Sequence, residues 1–334
     1  MSYNSYNFYF LGIYTMKKEF RLKNFPISFF SIILGLSGFS IAFQKAEEIL
    51  GMPTNLSYYF LILTVIIFAI ISLIYLFKNF KFQDEVSKEF NHPIKLNFFP
   101  TFSISFLLLS VGFLAEDMII SKYLWIFGSS IHFLFTIKII SIWIQHTKFE
   151  INHMNPAWFI PAVGNILVPV AGINHFSSEI SWFFFSIGFF FWIALFVIFM
   201  NRIIFHKPLP EKLLPTLFIL IAPPAVGFIS LVKLTGEVNY FSKLLYYFAL
   251  FLTILLFSQI NLFRKIKFYL SWWAYSFPIS AITIASISMF HETDILVFKY
   301  LAWTLFGILN SIIILLLIRT INSIFKKEIC VAEE

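Results

Sequence analysis

The chain has 334 residues, of which 59% are apolar and 12% charged, with a mean hydropathy of +0.85 and a net charge of +7. Soluble domains carry about twice that share of charge, so a soluble fold is excluded and a polytopic membrane protein is left. In such a chain a basic balance is a topology signal that also attracts anions or acidic lipid; nothing in it points to nucleic acid.

A membrane-crossing helix needs about 20 mainly apolar residues. Ten such runs follow one another, at 26–44, 56–78, 98–115, 119–142, 156–173, 179–200, 215–235, 238–260, 268–290 and 295–319. Residues 1–25 are then an N-terminal segment, 26–319 a single ten-helix domain and 320–334 a short tail. The longest connection, Asn79 to Asn97, leaves no room for a separate catalytic or regulatory domain.

In chain order the runs alternate in character. The first holds Pro26, Gly35, Ser37 and Gly38, and the third Pro100, Ser103, Ser105, Ser110 and Gly112. The fifth holds Pro161 and Gly164, the seventh Pro223, Ala222, Ala225 and Gly227, and the ninth Pro278 with Ala274, Ser276, Ser280 and Ala281. The even runs are dense in Leu, Ile, Phe and Tyr, the sixth reading Trp182-Phe183-Phe184-Phe185 and Phe189-Phe190-Phe191-Trp192. A proline inside a helix removes a backbone bond, which a membrane tolerates only where neighbours, water or a cavity answer the freed carbonyl. Small residues let backbones approach or leave a lumen. The pattern predicts an all-α membrane protein of five helical hairpins, with odd helices forming an inner pore ring and even helices an outer ring. A packed bundle whose inner helices only touch is the other reading. Pro26 and Pro100 fall at helix starts, where proline is readily accepted; Pro161, Pro223 and Pro278 fall further in and are candidate kinks.

Cytoplasmic loops retain Lys and Arg. Placing both termini inside puts nineteen of the 24 basic residues on that side, leaving Lys45, Lys122, Lys233, Lys243 and Lys299 opposite. This predicts cytoplasmic N- and C-termini. The first 15 residues lack a basic n-region, so no signal peptide is read, and Met16, before Lys17 and Lys18, is an alternative start. The single cysteine, Cys330, allows no internal disulfide. His146 and His153 lack further ligands at metal spacing, and no hydrolase, nucleotide-binding or paired-carboxylate motif occurs. Neither a metal, a cofactor nor an enzyme activity is expected.

No odd helix has an ionisable side chain in its middle. Cation channels commonly use acidic rings, and proton-driven pumps an intramembrane carboxylate. A neutral lumen remains, whose inner mouth gathers basic loops and the positive ends of five parallel helix dipoles, each about half a charge. That field favours anions. Phe277, in Trp272-Trp273-Ala274-Tyr275-Ser276-Phe277-Pro278, lies near the middle of the ninth run. An apolar plug there would gate by denying ions hydration; position alone equally allows it to be one packing ring among 47 phenylalanines. His132, deep in the fourth run, is a functional candidate by default, set against a structural hydrogen bond on an outer helix.

Four ordered segments carry a family resemblance. Phe25 to Phe30 followed by Leu34-Gly35-Leu36, then Pro156 to Gly172, Pro215 to Phe228 and Trp272 to Pro278, closely resemble the TehA tellurite-resistance proteins. These are bacterial relatives of the plant guard-cell slow anion channel and of the fungal malate transporter and sulfite exporter. The resemblance runs from about Phe25 to Arg319. It implies a pore lined by the odd helices, a homotrimer with one pore per subunit, and a phenylalanine plug that falls on Phe277. Ser31 stands where the first motif has glycine, and the long phosphorylated tails of the plant channels have no counterpart.

Together these readings predict passive flux of small monovalent anions in a bacterial inner membrane, gated by Phe277 and linked by family to tellurite resistance. The alternative is a secondary transporter or exporter of dicarboxylate, sulfite or tellurite, which would need a midplane site and often uses inverted repeats. The expected partners are small anions, the lipid bilayer and two further copies of the chain.

Overall fold

The computed structural model describes residues 22–331. The alternative start at Met16, with Lys17, Lys18 and Arg21, lies outside the described residues, as does the end of the tail beyond Val331.

Nine of the ten runs are helices long and apolar enough to cross a membrane: α1 (Ile27–Ile49), α2 (Leu56–Lys81), α3 (Lys95–Phe113), α4 (Met118–Gln145), α6 (Ser178–Phe205), α7 (Glu211–Thr235), α8 (Tyr240–Ser258), α9 (Leu270–Thr293) and α10 (Leu296–Phe325). The remaining run is a shorter apolar helix, α5 (Pro156–Gly172). The protein is an all-α membrane protein. The apolar windows of α1, α3, α7 and α9 are 83, 78, 72 and 67% buried, whereas those of the even helices are 22 to 39% buried. The small-residue helices are therefore inside, with the bulky ones facing lipid. Each even helix packs on the odd helix before it, and the odd helices touch in the cycle α1–α3–α5–α7–α9–α1.

Inner and outer helices also differ in backbone. The even helices are continuous α-helix, whereas every odd one begins as 3-10 helix and then changes type. In α7 the 3-10 stretch runs eleven residues, Glu211–Ile221, before α-helix begins at Ala222. In α9 the change comes between Tyr275 and Ser276. The first N–H groups of an α-segment have no partner within it, so proline is tolerated in its first turn. Pro223 and Pro278 occupy that turn in α7 and α9, as Pro161 and Pro169 do in the two α-segments of α5. Pro26 and Pro100 precede the first helical residues of their segments.

Where a proline withholds an N–H from a 3-10 turn, a serine hydroxyl from the next inner helix supplies the donor. Pro169 cannot donate to Ile166 O, and Ser230 Oγ of α7 donates there instead at 2.5 Å. Pro215 cannot donate to Lys212 O, and Ser271 Oγ of α9 does so at 2.6 Å. The 3-10 turns also lengthen α5. With seven 3-10 residues rising about 2.0 Å each and ten α residues about 1.5 Å, it spans about 29 Å, close to the hydrocarbon thickness.

The long connection Asn79 to Asn97 contains an amphipathic helix, Gln83–Asn91, that hydropathy alone does not mark. Its Glu89 is 7% exposed and accepts from Ile27 N at 2.8 Å, answering a free donor at the start of α1. Glu89 also pairs with the buried Lys78 at 2.7 Å, which donates to Phe25 O at 2.8 Å. Removing one partner of such a buried pair leaves an uncompensated charge and costs about 3–5 kcal/mol. Glu89→Ala should therefore lower the unfolding midpoint in detergent further than the paired change Lys78→Met/Glu89→Leu. Ser230→Ala, which strands Ile166 O, should cost about 1–3 kcal/mol, and Ser230→Thr should recover part of it in the same assay.

Candidate functional site

The inner ring encloses a cavity of about 1060 Å³. Its wall is built from the N-terminal parts of all five odd helices, from Pro26 to Leu34 of α1, Phe98 and Ile104 of α3, Phe159 to Leu167 of α5, Lys212 to Val226 of α7 and Leu270 to Pro278 of α9. The lining goes no further along them than Leu34, Ile104, Leu167, Val226 and Pro278. The cavity opens towards the basic loops and ends partway along the ring.

Charge gathers near the N-terminal ends of the odd helices, where Lys23, Lys78, Lys88, Lys95 and Lys212 line the cavity with Glu85, Glu89 and Glu328. Glu85 pairs with Lys88 at 2.9 Å and with Lys23 at 3.3 Å. Hydrogen bonding to Lys88, and then to Lys23, holds its carboxyl below the usual carboxylate range. The lining also includes Leu34, Ile104, Val163, Ile166, Val226 and Phe277, with Ser28, Ser31 and Thr216 among its polar side chains.

Phe277 lines the cavity from α9. Gly38 of α1 lies one turn beyond Leu34 on the cavity-facing row, and a Cβ added there would meet the Phe277 ring at 3.3 Å and Ser280 Cβ at 2.8 Å. A Cβ at Gly35 would fall 2.7 Å from Ser276 Cβ and 3.0 Å from the Trp273 ring. Two glycines thus bring α1 and α9 together and let the Phe277 ring pack against Gly38. Trp273 anchors this register, 1% exposed, by donating from Nε1 to Thr320 Oγ1 of α10 at 2.9 Å. Tyr275 packs edge-on against Phe218 and Phe263.

Residues 24–321 match a family described as voltage-dependent anion channel, SLAC1. The chain belongs to the SLAC1 family. Among the relatives, the S-type anion channel SLAH2 of Arabidopsis thaliana is 31% identical over 91% of this chain and 60% of its own length. An uncharacterized transporter of Methanocaldococcus jannaschii is 24% identical over 92% of this chain and 97% of its own. The tellurite resistance protein TehA homolog of Haemophilus influenzae is 22% identical, over 88 and 90%. This chain therefore spans under two thirds of the plant channel and nearly all of the two microbial proteins.

In this SLAC1-family chain Pro26, Pro223, Phe277 and Pro278 come together in the cavity lining, whereas Pro100, Pro161 and His132 do not. His132 is fully buried behind the wall, its Nδ1 3.0 Å from Ser103 Oγ of α3. Its ring presses on Gly164, where a Cβ would lie 2.7 Å from both Cε1 and Nε2. One turn on, Thr136 Oγ1 lies 2.8 Å from Pro161 O, and Asn165 Nδ2 donates to Thr136 Oγ1 at 3.0 Å. His132 and Thr136 thus brace the discontinuous α5 from outside the ring. Sequence reasoning also missed the tail. Beyond α10 the chain turns back through Lys327 and Cys330, both at φ 61°, and Glu328 to Val331 border the cavity mouth. Among the described residues no three His, Cys, Asp or Glu side chains converge as a metal site.

A cavity open at one end makes a direct accessibility test. In a Cys330→Ser background, Ser31→Cys should react with a charged thiol reagent added from the basic-loop side. Ala42→Cys and Ala285→Cys, both at fully buried positions, should remain unlabelled in intact vesicles.

Proposed function

We propose that this protein is an anion channel of the bacterial inner membrane, passing small monovalent anions such as chloride or nitrate through the inner ring, with Phe277 as the gate. The observation that carries the reading is the cavity that all five inner helices line, with lysines near the N-terminal ends of those helices and Phe277 among its apolar lining. Basic groups at an entrance raise the local anion concentration, while an uncharged interior holds anions weakly enough to release them. An aromatic ring across an apolar lumen blocks ions by excluding their hydration water. Pro278, in the first turn of the α-segment of α9, fixes where the backbone changes from 3-10 to α and hence where Phe277 points.

The family gives the rest of the reading. Relatives named as anion channels and as a tellurite resistance protein favour anion passage as the shared activity, with tellurite resistance as one of its consequences. The excess of Lys and Arg favours cytoplasmic termini and a cavity that opens to the cytoplasm. The exposed apolar faces of the even helices suit lipid and a homotrimer with one pore per subunit.

Phe277→Ala should raise chloride current roughly tenfold or more over a nearly silent wild type, as removal of an apolar plug predicts. Planar-bilayer or voltage-clamp recording of both proteins, each shown to be folded in the membrane, makes the comparison. Accumulation of labelled malate or tellurite against its gradient, with no current from either protein, would replace the channel with a coupled transporter.

A further inference from the structure

The inner helices continue past Phe277 to their C-terminal ends, where a conducting path must have its second mouth, and helical register carries the cavity-lining rows out to it. Residues seven apart lie two turns apart on nearly the same face of an α-helix. On α7 the cavity-lining Val226 is followed by Lys233; on α1 Ser31 and Gly38 are followed by Lys45; on α9 Phe277 is followed by Ile284 and His291. Exposure follows the same rows. On α9 Ile284 and Ser288 are half-buried while the residues between them are buried, and on α7 Ile229 is half-buried between buried neighbours.

The charges at this mouth are unevenly partnered. Lys45 pairs with Glu48 on its own helix at 2.5 Å, and Glu292 is engaged by His291 Nδ1 at 3.1 Å. Lys233 is exposed and, among the described residues, has no carboxylate within 4 Å. The charged groups that act on it are Lys45, Glu292 and Glu48, from the two inner helices α1 and α9. Elsewhere the loops on this side carry acidic residues such as Glu116, Asp117, Glu179 and Asp294, a surface that repels anions. A lysine without an ion pair on a lumen-facing row counters that repulsion where it matters for flux.

We infer that Lys233 is the anion-capturing group of the second mouth, drawing small inorganic anions onto the lumen axis from the side opposite the basic loops. This rests on the channel reading, and its test separates the two. In the Phe277→Ala protein, chloride current entering from the Lys233 side is measured at about 0.01 M and about 1 M salt, where the Debye length falls from about 30 to about 3 Å. Lys233→Gln should lower the current about two- to threefold at low salt, the bias one unit charge gives a nearby anion in water, and leave it unchanged at high salt. Lys243→Gln, which removes a lysine on the same side from the lipid-facing α8, should change neither. Equal loss at both salt concentrations, no loss at low salt, or the same loss from Lys243→Gln overturns the capture site while the conducting Phe277→Ala channel stands. A silent Phe277→Ala protein overturns the gated pore itself, and the capture site with it.

Discussion

A carbonyl left without a donor inside a bilayer has no water to turn to, and the architecture follows from how this chain answers that constraint. Each inner helix begins as 3-10, and the prolines of α5, α7 and α9 fall where a new α-segment starts, or are answered from next door. Ser230 serves the carbonyl that Pro169 leaves free, and Ser271 the one that Pro215 leaves free. Those hydroxyls come from neighbouring inner helices, so the local repair of α5 and α7 is also part of what joins α5 to α7 and α7 to α9. The even helices contain no such breaks and need no such partners; they present apolar side chains to lipid.

Close backbone approach then sets how α9 meets its neighbours. Gly35 and Gly38 admit the side chains of Ser276 and Ser280, and further along Tyr246 and Ser286 share a hydrogen bond at 3.1 Å. Small residues therefore draw α9 against α1 and α8. The Glu89–Lys78 pair ties the start of α1 to α2 and the connecting helix. The result is a cavity whose charged residues gather near the starts of the odd helices.

The alternation of proline-bearing and bulky runs was legible because hydropathy and small-residue content report directly on lipid contact, and the burial of the odd helices agrees with it. Phe277 stood out through the segment Trp272 to Pro278, and the structure places it in the cavity lining beside Gly38. Other features left little trace. The helix Gln83–Asn91 is short and polar, so an apolar scan passes over it. Glu89 looks like any loop carboxylate until folding brings Ile27 N and Lys78 to it. His132 was visible as an ionisable group in a run of apolar residues, but only packing shows it behind Gly164 and bonded to Ser103, outside the cavity.

By itself, then, the amino-acid order determined that the chain is a membrane protein, which of its runs are apolar helices, and which helices turn inward. Each of these depends on properties summed along one helix: length, apolarity, and the presence of residues that lipid disfavours. The tertiary structure alone decided where the prolines fall within their helical segments, which serine answers which carbonyl, and how far the cavity extends. Those outcomes depend on distances of a few ångströms between groups as many as 64 residues apart, as for Ser230 and Ile166, and no periodicity within one helix encodes them.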